Sequence, residues 1–73
     1  MQFDNYQPHQ RRVIHEKVEL DEKIGRLRDF IGTQVFDKLE EAEQWRLRKQ
    51  IIAMDQYSEI LRQRIAAFGG AHD

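Results

Sequence analysis

The chain has 73 residues, 12 of them basic and 13 acidic, with a formal net charge of −1 and no cysteine. One small domain fits that length, and a chain so short needs staples, a metal or partners to bury enough surface. Without cysteine, disulfides and thiolate metal sites are excluded, which fits a reducing cytoplasm, and no apolar run approaches the roughly 20 residues that span a bilayer.

Residues 1–7, MQFDNYQ, form an N-terminal segment with an acid and no basic-then-apolar signal pattern, so secretion is not expected. Pro8 suits the first turn of a helix, where its missing N–H would be unpaired anyway. The first helix is predicted over residues 8–31, interrupted only by Gly25. Gly32, just past the last apolar residue, is expected to form a left-handed C-terminal cap. Residues 33–39 read as a connector in which Thr33 caps a single turn carrying Val35 and Phe36, the plug of a hairpin end. A second helix is predicted over residues 40–68. Glu40, Glu41 and Glu43 complement its dipole at the start, and Arg62 and Arg64 stand near its end. Gly69 and Gly70 close it, and residues 69–73 form a tail.

Periodicity sets the class. Val13, Lys17, Leu20, Ile24, Leu27 and Ile31 recur at alternating steps of four and three, with Lys17 the one interruption. In the second helix Leu47, Ile51, Met54, Ser58, Leu61, Ile65 and Phe68 do the same, Ser58 reading as a small packing residue. Two such stripes joined by a short connector predict an all-α fold, an antiparallel helical hairpin within one domain, residues 1–73. A further set of apolar residues lies off the stripes: Ile14, Val18 and Phe30, then Trp45, Ile52, Tyr57 and Ile60. A lone hairpin would expose them, and contiguous exposed apolar area marks an interface. The expectation is a compact homo-oligomer.

The charge pattern narrows the function. Split at Phe36, the chain holds six basic and six acidic residues, then six basic and seven acidic. Neither half is a basic arm, so binding to a nucleic-acid polymer is not expected. No glycine pattern makes a phosphate loop. His15 and Glu19 share a helical face as metal ligands can, but no further histidine accompanies them there, and a solvated pair is the reading. No cofactor and no metal are expected. Ser58 has no histidine at helical distance, and Asp21-Glu22 and Glu40-Glu41 read as ordinary helix-surface charge. Catalysis is therefore not expected. What remains is a cluster at the start of the first helix, Tyr6, His9, Gln10, Arg11 and Arg12, followed by Lys23 and Arg26. Rings of this kind stack on nucleobases, and Arg or Lys pair with phosphate oxygens; a solvated helix face is the plainer reading of the same residues. Basic side chains in a first turn oppose the helix dipole, which points to a use beyond helix stability.

Two runs carry a more specific likeness: RV…EK…LD.K…L..FI over residues 12–31, and M..Y..IL..RI..F over residues 54–68. Across residues 9–68 the chain resembles the small phage hairpin proteins of the anti-CBASS family, which share their hairpin domain with certain Thoeris anti-defence proteins. The resemblance implies a phage-encoded sponge acting in the host cytoplasm. Such a protein binds cyclic oligonucleotide second messengers without cleaving them and so blocks activation of immune effectors. It also implies a homohexamer, with cyclic dinucleotides between protomers and cyclic trinucleotides at a separate site. Residue by residue, Lys23 falls on the family's phosphate-pairing lysine and Arg64 on the arginine of its trinucleotide site. His9 stands in register with the family's stacking tyrosine, Tyr6 lies three residues earlier, and Gly25 replaces a companion threonine. With Arg12 and Arg26 from the basic cluster, these are the candidate binding residues. The alternative is a helical adaptor that docks a protein partner and binds no nucleotide. An RNA-binding hairpin would use the same Arg11-Arg12 cluster but lacks net positive charge.

Overall fold

A computed structural model describes residues 6–70; expectations for residues 1–5 and 71–73 lie outside the described residues. Three helices follow one another: α1 (Pro8–Ile31), α2 (Gln34–Asp37) and α3 (Glu41–Gly70). Pro8 opens α1, as its missing N–H allows, and the Gln7 backbone N–H donates to Gln10 Oε1 at 2.9 Å. Among the described residues no strand occurs.

The turn between the long helices is built from side chains that satisfy free backbone groups. Thr33 Oγ1 accepts from the Phe36 N–H at 3.3 Å and donates to the Phe30 carbonyl at 2.7 Å, tying α2 to the end of α1. Gln44 Nε2 reaches back from α3 to the carbonyls of Asp37 and Leu39, at 3.1 and 3.0 Å. Phe36 is fully buried, edge-on to Phe30 at 6.1 Å between centroids, with the Arg48 guanidinium 5.0 Å from its own ring centre. The plug of the hairpin end is thus capped by a cation on one ring face. Gly32 departs from the expected left-handed cap: its φ is −84°, and its N–H bonds Asp29 O at 3.1 Å. The chain leaves α1 by tightening into a 3₁₀-type turn, which needs no positive φ. Helix α3 also runs through Gly69 and Gly70 instead of stopping at Phe68. Arg62 and Arg64 therefore lie before the last turn, which contains no basic residue.

Helices α1 and α3 pack antiparallel along the two predicted stripes. Val13, Leu20, Ile24 and Leu61 form the buried cluster, flanked by Ile51, Met54, Ile65 and Phe68. The interruptions of the two stripes meet: Lys17 Nζ donates to Ser58 Oγ at 2.8 Å and to Asp21 Oδ2 at 2.9 Å, and Ser58 Oγ donates to Asp21 Oδ1 at 2.6 Å. Ser58 is thus a hydrogen-bonding bridge, not a packing residue, and Asp21 is more than solvated surface charge. A second cross-helix pair, Arg28 Nη2 to Asp55 Oδ2 at 2.8 Å, lies on the same broad side of the hairpin.

The result is a rod of 51 × 16 × 15 Å. Its radius of gyration is 16.1 Å, against about 11 Å for a compact domain of this length. The chain exposes 5674 Å², where a compact monomer of its mass would expose about 4,800 Å². Val18, Val35, Trp45, Ile52, Tyr57 and Ile60 are exposed, Trp45 most of all at 63%. Two members of the expected outer set are not. Ile14 is buried, although it stands outside the seam cluster, on the flank of α1 that it shares with Asp21 and Gly25. Phe30 is partly buried against Phe36.

Candidate functional site

The contact of Lys17 with Ser58 and the packing of Tyr6 on Phe68 fix the register of the hairpin. With that register, and about 1.5 Å and 100° per residue, each outward side chain can be placed. The Lys17–Ser58–Asp21 network, the Arg28–Asp55 pair and Gly25 occupy one broad face. Arg12 and Lys23 of α1 project from the opposite face, together with Tyr57 and Arg64 of α3. Arg64 stands level with Arg11 and Arg12, Tyr57 with Val18, and Lys23 about 8 Å beyond Tyr57 along the axis.

Several expected binding residues therefore share one face. Arg12, Lys23 and Arg64 are exposed and, among the described residues, form no ion pair, whereas Lys17, Arg28, Arg46 and Arg62 are each held by a carboxylate. Arg26, also exposed and without an ion pair among the described residues, points away from α3 at the outer edge of α1. His9 is exposed near the open end of the hairpin, on the side of Arg12. Tyr6 is engaged within the chain: its ring lies 6.3 Å from that of Phe68, tilted by 59°. Gly25 sits apart, on the other broad face and about 20 Å from Arg64 along the axis. A Cβ added at Gly25 would meet nothing within 4 Å. One chain alone does not bring Gly25 and Arg64 together.

The outer side of α1 carries an open groove of about 540 Å³ lined by Pro8, Arg11, Arg12, His15, Glu16 and Glu19. Both charge signs line it, with Arg12 joining this groove to the face shared with Arg64. A smaller depression of about 310 Å³ lies at the connector end, between Glu41, Gln44, Trp45 and Arg48.

The resolved pKa shifts fall on carboxylates tied to cations. Asp21 is held below the usual carboxylate range, first by the Ser58 hydroxyl and then by Lys17. Glu59 is drawn down to about 2, first by its hydrogen bond from Arg62 and then by Gln63. Arg62 rises correspondingly. The Lys17–Ser58 contact has the residue types of a serine–lysine nucleophile. Here Asp21 accepts from both partners, so the serine proton is directed to a carboxylate, and the helical backbone around Ser58 supplies no free N–H for an oxyanion. Among the described residues no group of three or more His, Asp or Glu could hold a metal ion. No helix among them is long and apolar enough to cross a membrane.

The family model described as Sequestin matches residues 7–67, most of the chain and nearly all of the packed hairpin. The chain is a member of the Sequestin family. Its connector, its exposed cations and all of the seam up to Ile65 fall within that match. The family name denotes sequestration, a binding role in place of a catalytic one, and agrees with the likeness to the anti-CBASS sponges. No significant match is found among curated proteins or among solved structures.

Tyr57, expected among the exposed apolar residues and 41% exposed, stands on this same face. Its separation of seven from Arg64, two turns on one helix face, is the signal that links them.

Proposed function

We propose that this Sequestin protein is a phage counter-defence sponge. It binds cyclic dinucleotides between copies of itself, and cyclic trinucleotides at a second site, and withholds them from immune effectors in the host cytoplasm without cleaving them. The homohexamer implied by the resemblance is the assembly proposed. The observation that carries this reading is the set Arg12, Lys23 and Arg64, exposed cations on one broad side of the hairpin that make no ion pair among the described residues. Phosphates are the partners such cations lack.

The chemistry of the ligand fits a symmetric assembly. A cyclic dinucleotide has two phosphates and two bases related by near two-fold symmetry, and a two-fold interface presents each side chain twice. One Lys23 per protomer then serves both phosphates. Sequestration demands affinities of roughly −8 to −12 kcal/mol. Two charge-assisted phosphate contacts, stacking on two bases and a preorganised rod supply that range.

The exposed Trp45, Ile52 and Ile60 favour a second reading, a helical adaptor that docks a protein and no nucleotide. One experiment separates the two. The purified protein is incubated with cyclic di- and trinucleotides, freed of unbound ligand and heat-denatured, and the supernatant is chromatographed. Intact ligand is expected. No ligand supports the adaptor, and a cleaved product would mean an enzyme.

A further inference from the structure

We propose that two copies of this chain meet through the outer face of α3, their α3 helices antiparallel about a two-fold axis between Ile52 and Ala53. The proposal rests on the self-association in the function proposed above and on none of its ligand chemistry. Opposite the seam, α3 carries a second stripe in which Trp45, Lys49, Ile52, Gln56, Ile60 and Gln63 recur at steps of three and four. All of them are exposed, Trp45 at 63%, Ile52 at 57% and Ile60 at 54%. The outer line of α1 is different: around Val18 it runs Arg11, His15, Glu22, Arg26 and Asp29. The apolar surface that the hairpin leaves uncovered thus gathers on α3, and contiguous area of this kind marks an interface.

A second copy is the occupant because the stripe complements itself when reversed. In a two-fold contact residue i faces residue j, and j faces i. About an axis between Ile52 and Ala53, Trp45 stands level with the partner's Ile60, and Ile52 with the partner's Ala53. A large side chain meets a smaller one in each layer. Lys49, the one charge on the stripe, stands level with the partner's Gln56, whose amide oxygen accepts from an ammonium. A parallel pair in register would set Lys49 against the partner's Lys49. The depression of about 310 Å³ between Glu41, Gln44, Trp45 and Arg48 lies on one flank of the stripe. The partner's Glu59 and Gln63 come level with it. They bring a carboxylate toward Arg48, which makes no ion pair among the described residues. That rim contact is solvated, so it sets orientation more than strength.

The chain has no cysteine, so a single introduced thiol can crosslink only to another chain. Three variants of the full chain are treated with a short bis-maleimide: Ala53→Cys beside the axis, Gln63→Cys on the same stripe, and Glu22→Cys on the outer line of α1. Ala53→Cys is expected to form covalent dimer at least about tenfold faster than the other two, because thiols paired at the axis share a high local concentration. Gln63 lies about 30 Å along the helix from its own copy in this arrangement. A rate for Ala53→Cys less than about tenfold above that of Gln63→Cys overturns the antiparallel register. A Glu22→Cys rate as high as that of Ala53→Cys overturns the choice of α3. Wild-type protein that sediments as a single chain at micromolar concentration also overturns the proposal, and would leave the face to a different protein. No nucleotide enters the experiment, so failure here and failure of ligand release are read separately.

Discussion

Lys17 Nζ lies 2.8 Å from Ser58 Oγ, so the one polar break in each apolar stripe meets the other across the seam. A slip of one heptad would set Lys17 against Ile51 or Ile65. An ammonium facing an aliphatic side chain loses its hydrogen bonds without repayment, and the pairing therefore selects one register. Ser58→Ala is expected to cost about 1 kcal/mol in urea unfolding. Lys17→Leu with Ser58→Leu is expected to raise the urea midpoint while admitting other registers. Trp45 is the single tryptophan, so additional indole N–H peaks in a ¹⁵N spectrum would report them; a lone peak would show that the apolar stripes suffice.

Asp21 gives the network a pH dependence. Its folded pKa is lowered from 3.8 by Ser58 and then Lys17. The carboxylate therefore contributes fully above about pH 5, and the contribution is lost as pH falls through the folded value. Asp21→Asn should flatten the fall of the thermal midpoint on acidification, most clearly below about pH 4. Glu59, although drawn to about 2, is fully exposed beside Arg62, and solvent screens that pair. Glu59→Gln should leave the acid limb close to wild type. The reverse ranking would relocate the acid-sensitive element to the end of α3.

The connector is expected to be the most sensitive part of the fold. Phe36 is fully buried, and Phe36→Ala should cost about 3–5 kcal/mol, comparable with the whole stability of a small domain. Thr33→Ala removes the acceptor for the Phe36 N–H and should cost about 1 kcal/mol. Circular dichroism during urea titration measures both. A Phe36→Ala variant melting like wild type would mean that assembly, not the plug, holds the hairpin end.

At Gly25 a Cβ would enter open space. Within the chain, Gly25→Ala should therefore stabilise α1 by about 0.5–1 kcal/mol through helix propensity. A lowered urea midpoint would show that a second copy occupies that space.

Trp45 is 63% exposed in a single chain. Self-association through the outer face of α3 should shift its fluorescence to shorter wavelength as concentration rises, in step with particle mass by sedimentation. A spectrum constant across that range would exclude Trp45 from the contact.

The two stripes were readable because a seam between antiparallel helices imposes the same spacing on both partners, and so was the Thr33 turn, whose hydroxyl has a local task. The meeting of Lys17 with Ser58 was not. Each looked like an isolated defect, and only the relative shift of the helices, set by the Phe36 plug and the connector, brings them opposite. Phe30 was expected to face outward because spacing along a helix gives an angle but not what the connector folds against it, here Phe36. Tyr57 was expected off the stripe and exposed, and it is. Its place on the same broad side as Arg12 and Lys23 needed the register of the two helices, which no single stripe carries. Gly32 was expected to adopt a left-handed cap, and the single turn beginning at Gln34 made that unnecessary.

The 15 and 16 Å transverse dimensions of the rod are less than two helix diameters. No side chain lies deeper than one layer, and the residues that hold the hairpin together form a single line. Under the proposed function, ligand preference can be rewritten by a few exchanges along the broad face while that line stays intact.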